Sequence, residues 1–315
     1  MKFTHLLPVL LLLLTPLTIC SQNPKSVAEY NNRGLTRRSQ GDIDGAIDDF
    51  TKAIALKDKP SAMATVYNNR ANARLSKDDL EGALEDYTKA IELQPSDFEN
   101  YFNRATVLLQ KGDNDRAIAD FTKVIEMSPK FALAYTNRGN AFTAKGDVEA
   151  AIADYTNAIK LDPKASDAYY NRGTAYQTKK DLDSALTDYS SAIALYPKFG
   201  LAYINRAVVR HAKGDLEGAI ADYTNAATIK PEDAGIFFGR GLVHQARKDL
   251  SEAIADYSMA LKLDPTMAQA YANRAVLETL QNKKADAAQD FEKAFKLDPS
   301  LKASYREFME GRKVP

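Results

Sequence analysis

Tryptophan is absent from the 315 residues, and cysteine occurs once, as Cys20. Without a second thiol the chain cannot close a disulfide on itself, so stability in an oxidising compartment has to come from packing. Net charge is absent as well, because 42 basic and 42 acidic residues cancel. A neutral chain lacks the basic excess that nucleic acid or an anionic membrane surface requires, and neither is expected as a partner. Glycine-rich phosphate loops, nucleophile elbows, HExxH spacings and CxxC pairs are all missing. Of the three histidines, His5 lies near the start, while His211 and His244 stand far apart with no cysteine nearby. Both are expected at the surface or in the groove, and neither a metal site nor a cofactor follows from them. With 45% hydrophobic and 27% charged residues, the composition is that of a folded protein.

One segment stands apart. Residues 1–20 start weakly basic (Lys2, His5) and continue as an apolar run, Leu6 to Leu17, broken by Pro8 and Pro16. The run is too short to span a bilayer and has the length of a secretory apolar region, so an export signal is expected, with residues 21–26 as a linker. Leu17-Thr18-Ile19-Cys20 resembles a bacterial lipobox, in which the cysteine is lipidated. Ile19 departs from that pattern, since the residue before the cysteine is normally small, and this weighs for simple cleavage near Cys20–Ser21. The mature protein is therefore expected in the periplasm or cell envelope, or secreted. Membrane attachment follows only if Cys20 is lipidated.

What the chain has in abundance is repetition. Pro95, Pro129, Pro163, Pro197, Pro231, Pro265 and Pro299 are spaced by 34 residues. Asn-Arg recurs in the same register at 103–104, 137–138, 171–172, 205–206 and 273–274, with Gly239-Arg240 as the exception. Asn32-Arg33 and Asn69-Arg70 lie 37 residues apart, the three extra residues falling in Lys57–Ala64, where a loop can absorb them. Eight copies result: 27–63, 64–97, 98–131, 132–165, 166–199, 200–233, 234–267 and 268–301.

Each copy reads as two helices. In the fourth, Ala132–Lys145 is apolar-periodic and stopped by Gly146, and Val148–Leu161 runs to Pro163. An alanine in the second helix (Ala46, Ala83, Ala117, Ala151, Ala185, Ala219, Ala253, Ala287) is followed four residues later by an aromatic. A small residue in the first helix, such as Gly139 or Ala207, lets the pair approach closely. Residues 302–315, with Tyr305, Phe308 and Met309, read as a capping helix and tail.

These residues resemble the tetratricopeptide repeat family over 27–301. The opening aromatic is Tyr30, Tyr67, Tyr101, Tyr135, Tyr169, Tyr203, Phe237 and Tyr271, never Trp. The family's leucine is arginine in every copy, and its second tyrosine survives only as Phe142 and Tyr176. The resemblance implies an all-α, right-handed superhelical solenoid whose first helices line a concave groove for partner peptides. With the catalytic constellations missing, neither enzymatic activity nor a small-molecule substrate is expected. Some family members carry a catalytic domain beside the repeats, and no such domain is expected in the 14 residues after the last copy.

Arginine stands at 33, 70, 104, 138, 172, 206, 240 and 274, and aspartate precedes the second-helix aromatic in every copy. A catalytic pair occurs once; a pair occurring in every copy is structural, and each arginine is expected to meet an aspartate of its own or the preceding copy. The sixth place of each copy is expected to face the groove: Asn32, Asn69, Asn103, Asn137, Asn171, Asn205 and Asn273, with Gly239 as the gap. An asparagine offers a donor and an acceptor, suiting an extended backbone of any sequence. This asparagine ladder is similar to that of the O-linked N-acetylglucosamine transferases. Phe102, Tyr170, Ile204 and Phe238, at the fifth place, are expected to add apolar anchoring. That place lacks the lysines with which family clamps hold a C-terminal carboxylate. Two alternatives stand beside this reading: Asn-Arg is only repeat consensus, or the convex face docks on a fixed partner and the groove stays empty.

Overall fold

The computed structural model describes residues 24–309, and every regular element among them is α-helical. The expected signal segment 1–20, Cys20 and the end of the tail lie outside the described residues. First helices of the repeats are α1 (Val27–Ser39), α3 (Pro60–Leu75), α5 (Phe98–Gln110), α7 (Ala132–Lys145), α9 (Ser166–Thr178), α11 (Gly200–Ala212), α13 (Ala234–Arg247) and α15 (Ala268–Leu280). Second helices are α2 (Ile43–Leu56), α4 (Leu80–Leu93), α6 (Asn114–Met127), α8 (Val148–Leu161), α10 (Leu182–Leu195), α12 (Leu216–Ile229), α14 (Leu250–Leu263) and α16 (Lys284–Leu297). Two short helices, α17 (Leu301–Ser304) and α18 (Arg306–Met309), follow.

The described residues fall into two compact units, one ending at Asn100 and the other starting at Tyr101. In the first, α1 pairs with α2 and α3 with α4, and α2 also packs on α3. In the second, α7–α8, α9–α10, α11–α12, α13–α14 and α15–α16 are hairpins. There each second helix also packs on the first helix of the next repeat, and α7, α9, α11 and α13 lie side by side.

The hairpins are specified locally. Asp42, Asp79, Asp113, Asp147, Asp181 and Asp215 cap the second helices, each carboxylate accepting a backbone N–H of the first turn. The residue just before this cap position is left-handed in every repeat: Gly41, Asp78, Gly112, Gly146, Lys180, Gly214, Lys248 and Asn282. Inside four of the hairpins the glycine of the first helix faces the ring of the second: Gly34 and Phe50, Gly139 and Tyr155, Gly173 and Tyr189, Gly241 and Tyr257. A β-carbon on Gly139 would lie 2.7 Å from the Tyr155 ring, which fixes the helix separation. The ring is buried and its hydroxyl donates to Asn140 Oδ1 at 2.9 Å. Burial pushes the Tyr155 phenol up to about 12.

Two local expectations are corrected. The extra residues between the first two repeats do not swell a loop: α3 starts at Pro60 and spans 16 residues, leaving only Lys57–Lys59 between helices. Proline is well suited to the first helical position, where its missing N–H has no intrahelical partner to lose. The tail is not one capping helix either, because it breaks at Tyr305 into two four-residue pieces. Leu301, Tyr305 and Phe308 nonetheless pack on the last repeat, against Phe291, Ala294 and their neighbours.

Candidate functional site

The recurrent arginine and aspartate meet within each repeat, sixteen residues apart. In the fourth, Arg138 donates from Nε and Nη2 to the two Asp154 oxygens at 2.7 and 2.8 Å. Asp154 is 5% exposed and Arg138 18%, so the carboxylate is desolvated while the guanidinium keeps one edge near water. The Asp154 hydrogen bond raises the Arg138 pKa, holding the arginine charged. The third nitrogen, Nη1, reaches back to the preceding repeat and donates to Thr122 Oγ1 at 2.9 Å. Equivalent bonds run from Arg70 to Thr51, Arg172 to Thr156, Arg206 to Ser190, Arg240 to Thr224 and Arg274 to Ser258. These hydroxyls donate to the carbonyl four residues back in their own helix, so both functions are used. Each guanidinium also lies over the opening aromatic of its repeat, as Arg172 does over Tyr169 at 5.8 Å.

The place of the family's second tyrosine turns out to face this node. Phe142 and Tyr176 supply a second ring to Arg138 and Arg172, each at 5.9 Å. Arg37, Arg74 and Arg210 bring a second cation instead, 3.2, 3.0 and 2.8 Å from Asp49, Asp86 and Asp222. His244 occupies it in the seventh repeat. Contrary to the expectation of a surface or groove histidine it is buried, with Nδ1 3.3 Å from Asp249 and Nε2 3.8 Å from Asp256. The eighth repeat places a second acid there, Glu278, also buried, whose Oε2 has no hydrogen-bond partner among the described residues.

The asparagines of the sixth place are distributed unevenly. Asn32 is exposed; Asn69, Asn103, Asn137, Asn171 and Asn205 are half-buried; Asn273 is buried. Asn69 donates to Asn31 Oδ1 at 2.8 Å, within the first unit. In the second unit Asn171 donates to Asn140 Oδ1 at 2.9 Å and Asn205 to the Tyr170 hydroxyl at 3.1 Å. Asn103 and Asn137 have no side-chain hydrogen bond among the described residues. The acceptor of Asn273 is taken by the tail, whose Tyr305 hydroxyl donates to it at 2.7 Å, so this last rung is covered by the chain itself.

The gap at Gly239 has a steric cause. A β-carbon there would lie 2.7 Å from Cζ and the hydroxyl oxygen of Tyr223 in the preceding repeat. Elsewhere the equivalent tyrosine hydroxyl finds a polar neighbour in its own first helix, as Tyr87 does in Asn72 at 2.8 Å. In the sixth repeat the places fifteen and twelve residues before Tyr223 hold Val208 and His211, and its hydroxyl makes no hydrogen bond among the described residues.

Phe102, Tyr170 and Phe238 are half-buried and face inward as much as outward. Phe102 meets Phe121 and Phe131 edge-on at 5.7 and 5.0 Å, Tyr170 lies 4.8 Å from Phe199, and Phe238 5.8 Å from Tyr257. Ile204 likewise packs into the core of its own hairpin. Two first-helix residues that the repeat pattern did not single out, Leu201 and Val208, are 45% and 41% exposed. They lie on one face of α11 with Ile204 and His211, at i, i+3, i+7 and i+10. Their signal was in the sequence as that spacing. Among the described residues no cluster of three metal-ligating side chains occurs, and no helix is long and apolar enough to cross a membrane.

Tetratricopeptide repeat models match residues 30–60, 64–97, 86–119, 166–199 and 238–301, and a further TPR repeat model matches 139–180 and 209–247. No curated protein matches the chain significantly. Among solved structures, the C-terminal part of a TPR repeat-containing protein from Cytophaga hutchinsonii superposes with a TM-score of 0.63 at 19% identity, covering 76% of this chain and 97% of the other. A tetratricopeptide repeat protein from Parabacteroides merdae gives 0.60 at 18% identity, with 84% and 100% covered. YrrB, described as a TPR protein with an unusual peptide-binding site, gives 0.53 at 24% identity, with 59% and 96% covered. At these identities the likeness bears on the fold.

Proposed function

Because the chain belongs to the tetratricopeptide repeat family, whose members mediate protein–protein interactions, we propose that it is an exported scaffold binding extended peptide segments along its first helices. One observation carries this reading. The recurrent charges are consumed in the Arg–Asp nodes, while the first-helix face of the second unit keeps half-exposed asparagines, of which Asn103 and Asn137 are unengaged among the described residues. Amides presented this way suit the backbone of an extended partner and make little demand on its side chains. With few charges on that face, binding is expected to tolerate salt, unlike an electrostatic clamp. YrrB is a fold neighbour with a peptide-binding site of its own, which is consistent with this use of the architecture.

The test changes Asn103, Asn137, Asn171 and Asn205 to alanine together and measures partner capture alongside thermal melting. Lost capture with an unchanged melting curve supports the proposal. Unchanged capture makes the ladder mere consensus and favours a second reading, docking through the second helices. That alternative has its own observation: Leu161, Leu195, Leu263 and Leu297 hold one register place at the ends of those helices and are 38, 40, 36 and 45% exposed. Export rests on the apolar run Leu6–Leu17, and intact-mass measurement tests it. Loss of about the first 20 residues is expected, an acyl adduct on Cys20 would identify a lipoprotein, and a mass retaining Met1 would overturn export.

A further inference from the structure

The ends of α11 and α13, the start of α14 and α15 line an open pocket of about 490 Å³ that the asparagine ladder does not touch. Its walls are aliphatic: Leu242 from α13, Leu250 from the start of α14, and Leu277 and Leu280 from α15. Its rim is polar, formed by His211, Gln245 and Lys248. The small Ala246, exposed on the last turn of α13, leaves the opening free. The volume lies in the range of sites that take up a compact ligand or a bulky side chain. Leu201 and Val208, both exposed, lie on the face of α11 that ends at His211, so apolar surface leads toward the opening.

The rim sets the charge of what fits. No acidic residue lines the cavity. Lys248 has no ion-pair partner among the described residues, whereas its neighbour Arg247 is held by Glu217 and Asp249. Gln245 accepts from the Tyr257 hydroxyl at 2.7 Å through Oε1, and its amide nitrogen has no hydrogen bond among the described residues. A site with aliphatic walls and a rim of donors, one of them a lysine, complements an apolar side chain followed directly by a carboxylate. A basic residue at that second place would meet Lys248 and be repelled.

We infer that this cavity is the specificity pocket of the scaffold, taking a large apolar side chain (Trp, Phe or Leu) of an extended segment whose next residue is acidic. The inference rests on the proposed peptide binding by the first helices and adds the side-chain preference that the amide ladder cannot supply.

The absence of tryptophan makes the test direct, because a tryptophan in a peptide is then the only indole in the mixture. The probe is the blocked peptide Gly-Ser-Ser-Trp-Asp-Ser-Ser-Gly, read by its own emission and by anisotropy. Its controls replace Trp by Ser, or Asp by Lys. Binding with a blue-shifted emission is expected, weakened at least roughly tenfold in either control. Ala246→Phe, which fills the cavity from an exposed position, should abolish the shift without altering the melting curve. Lys248→Ala should remove the preference for Asp over Lys while keeping that for Trp over Ser. No binding by the probe, binding indifferent to Trp, or binding unchanged by Ala246→Phe would overturn the inference. Loss of binding in the four-asparagine variant but not in Ala246→Phe would sink the pocket and leave the scaffold reading standing. If neither variant alters binding, both fall.

Discussion

Arg172 donates its Nη1 to the Thr156 hydroxyl of the preceding repeat at 3.0 Å while Nε and Nη2 hold Asp188, each at 2.8 Å. One guanidinium therefore closes its own hairpin and ties it to the one before. Removing Asp188, which is almost wholly buried, strands a cation against two rings and should cost about 3–5 kcal/mol. Thr156→Val keeps the shape and removes the inter-repeat acceptor together with the hydroxyl's own bond to the Ile152 carbonyl, for roughly 1–2 kcal/mol. Thermal melting of the two variants checks both the order and the size.

Gly239 interrupts the asparagine ladder because Tyr223 occupies the space a side chain would need. Completing the ladder by Gly239→Asn should therefore destabilise the protein, by about 1–3 kcal/mol. Adding Tyr223→Phe removes the hydroxyl oxygen, one of the atoms lying 2.7 Å from the new β-carbon, and should recover part of the loss. Melting temperatures of the single and double variants decide it; a neutral single variant would contradict the steric explanation.

Glu278 stands where Arg37, Arg74 and Arg210 stand in other repeats, so the last node carries two acids and one arginine. Desolvation above all, then Asp290, raises its pKa against the pull of Arg274. A carboxyl whose folded pKa lies above its unfolded value stabilises at low pH, and that stability is lost as pH rises through the folded pKa. Glu278→Gln should match the wild type in acid and exceed it near neutrality, by roughly 1–3 kcal/mol. Melting against pH checks this; a constant offset between the two proteins would be the contrary result.

The turn before each second helix holds a left-handed residue, and in the fifth repeat it is Lys180, at φ 64°. A side chain there carries a steric cost of roughly 1–2 kcal/mol that glycine escapes. Lys180→Gly should stabilise by about 0.5–1 kcal/mol once glycine's greater unfolded freedom is subtracted. Gly146→Ala, at φ 80°, should destabilise. Both are read from thermal melting.

The repeat frame was legible because small residues, rings and turn residues recur at fixed places, and the boundaries of α7 and α8 fall where Gly146 and Pro163 put them. The partner of each arginine was legible as a pair but not as a choice. Only coordinates show that Arg138 takes Asp154 of its own repeat and leaves the preceding one to Thr122. The hydroxyl half of that node was written in the sequence at Thr51, Thr88, Thr122, Thr156, Ser190, Thr224 and Ser258, and it gives way to Glu292 in the last repeat. His244 looked like a surface residue because a histidine's burial depends on what meets it across the hairpin, here Asp249 and Asp256. The covering of Asn273 could not be read at all, since it depends on how Tyr305 folds back.

Amide hydrogen exchange tests the central claim most directly: that extended segments bind along the first helices. The protein is followed alone and with a permanently unfolded chain, reduced and carboxamidomethylated α-lactalbumin. Added protection is expected in α7, α9, α11 and α13, with α8, α10, α12 and α14 unchanged. Protection confined to the second helices, or none, would contradict it.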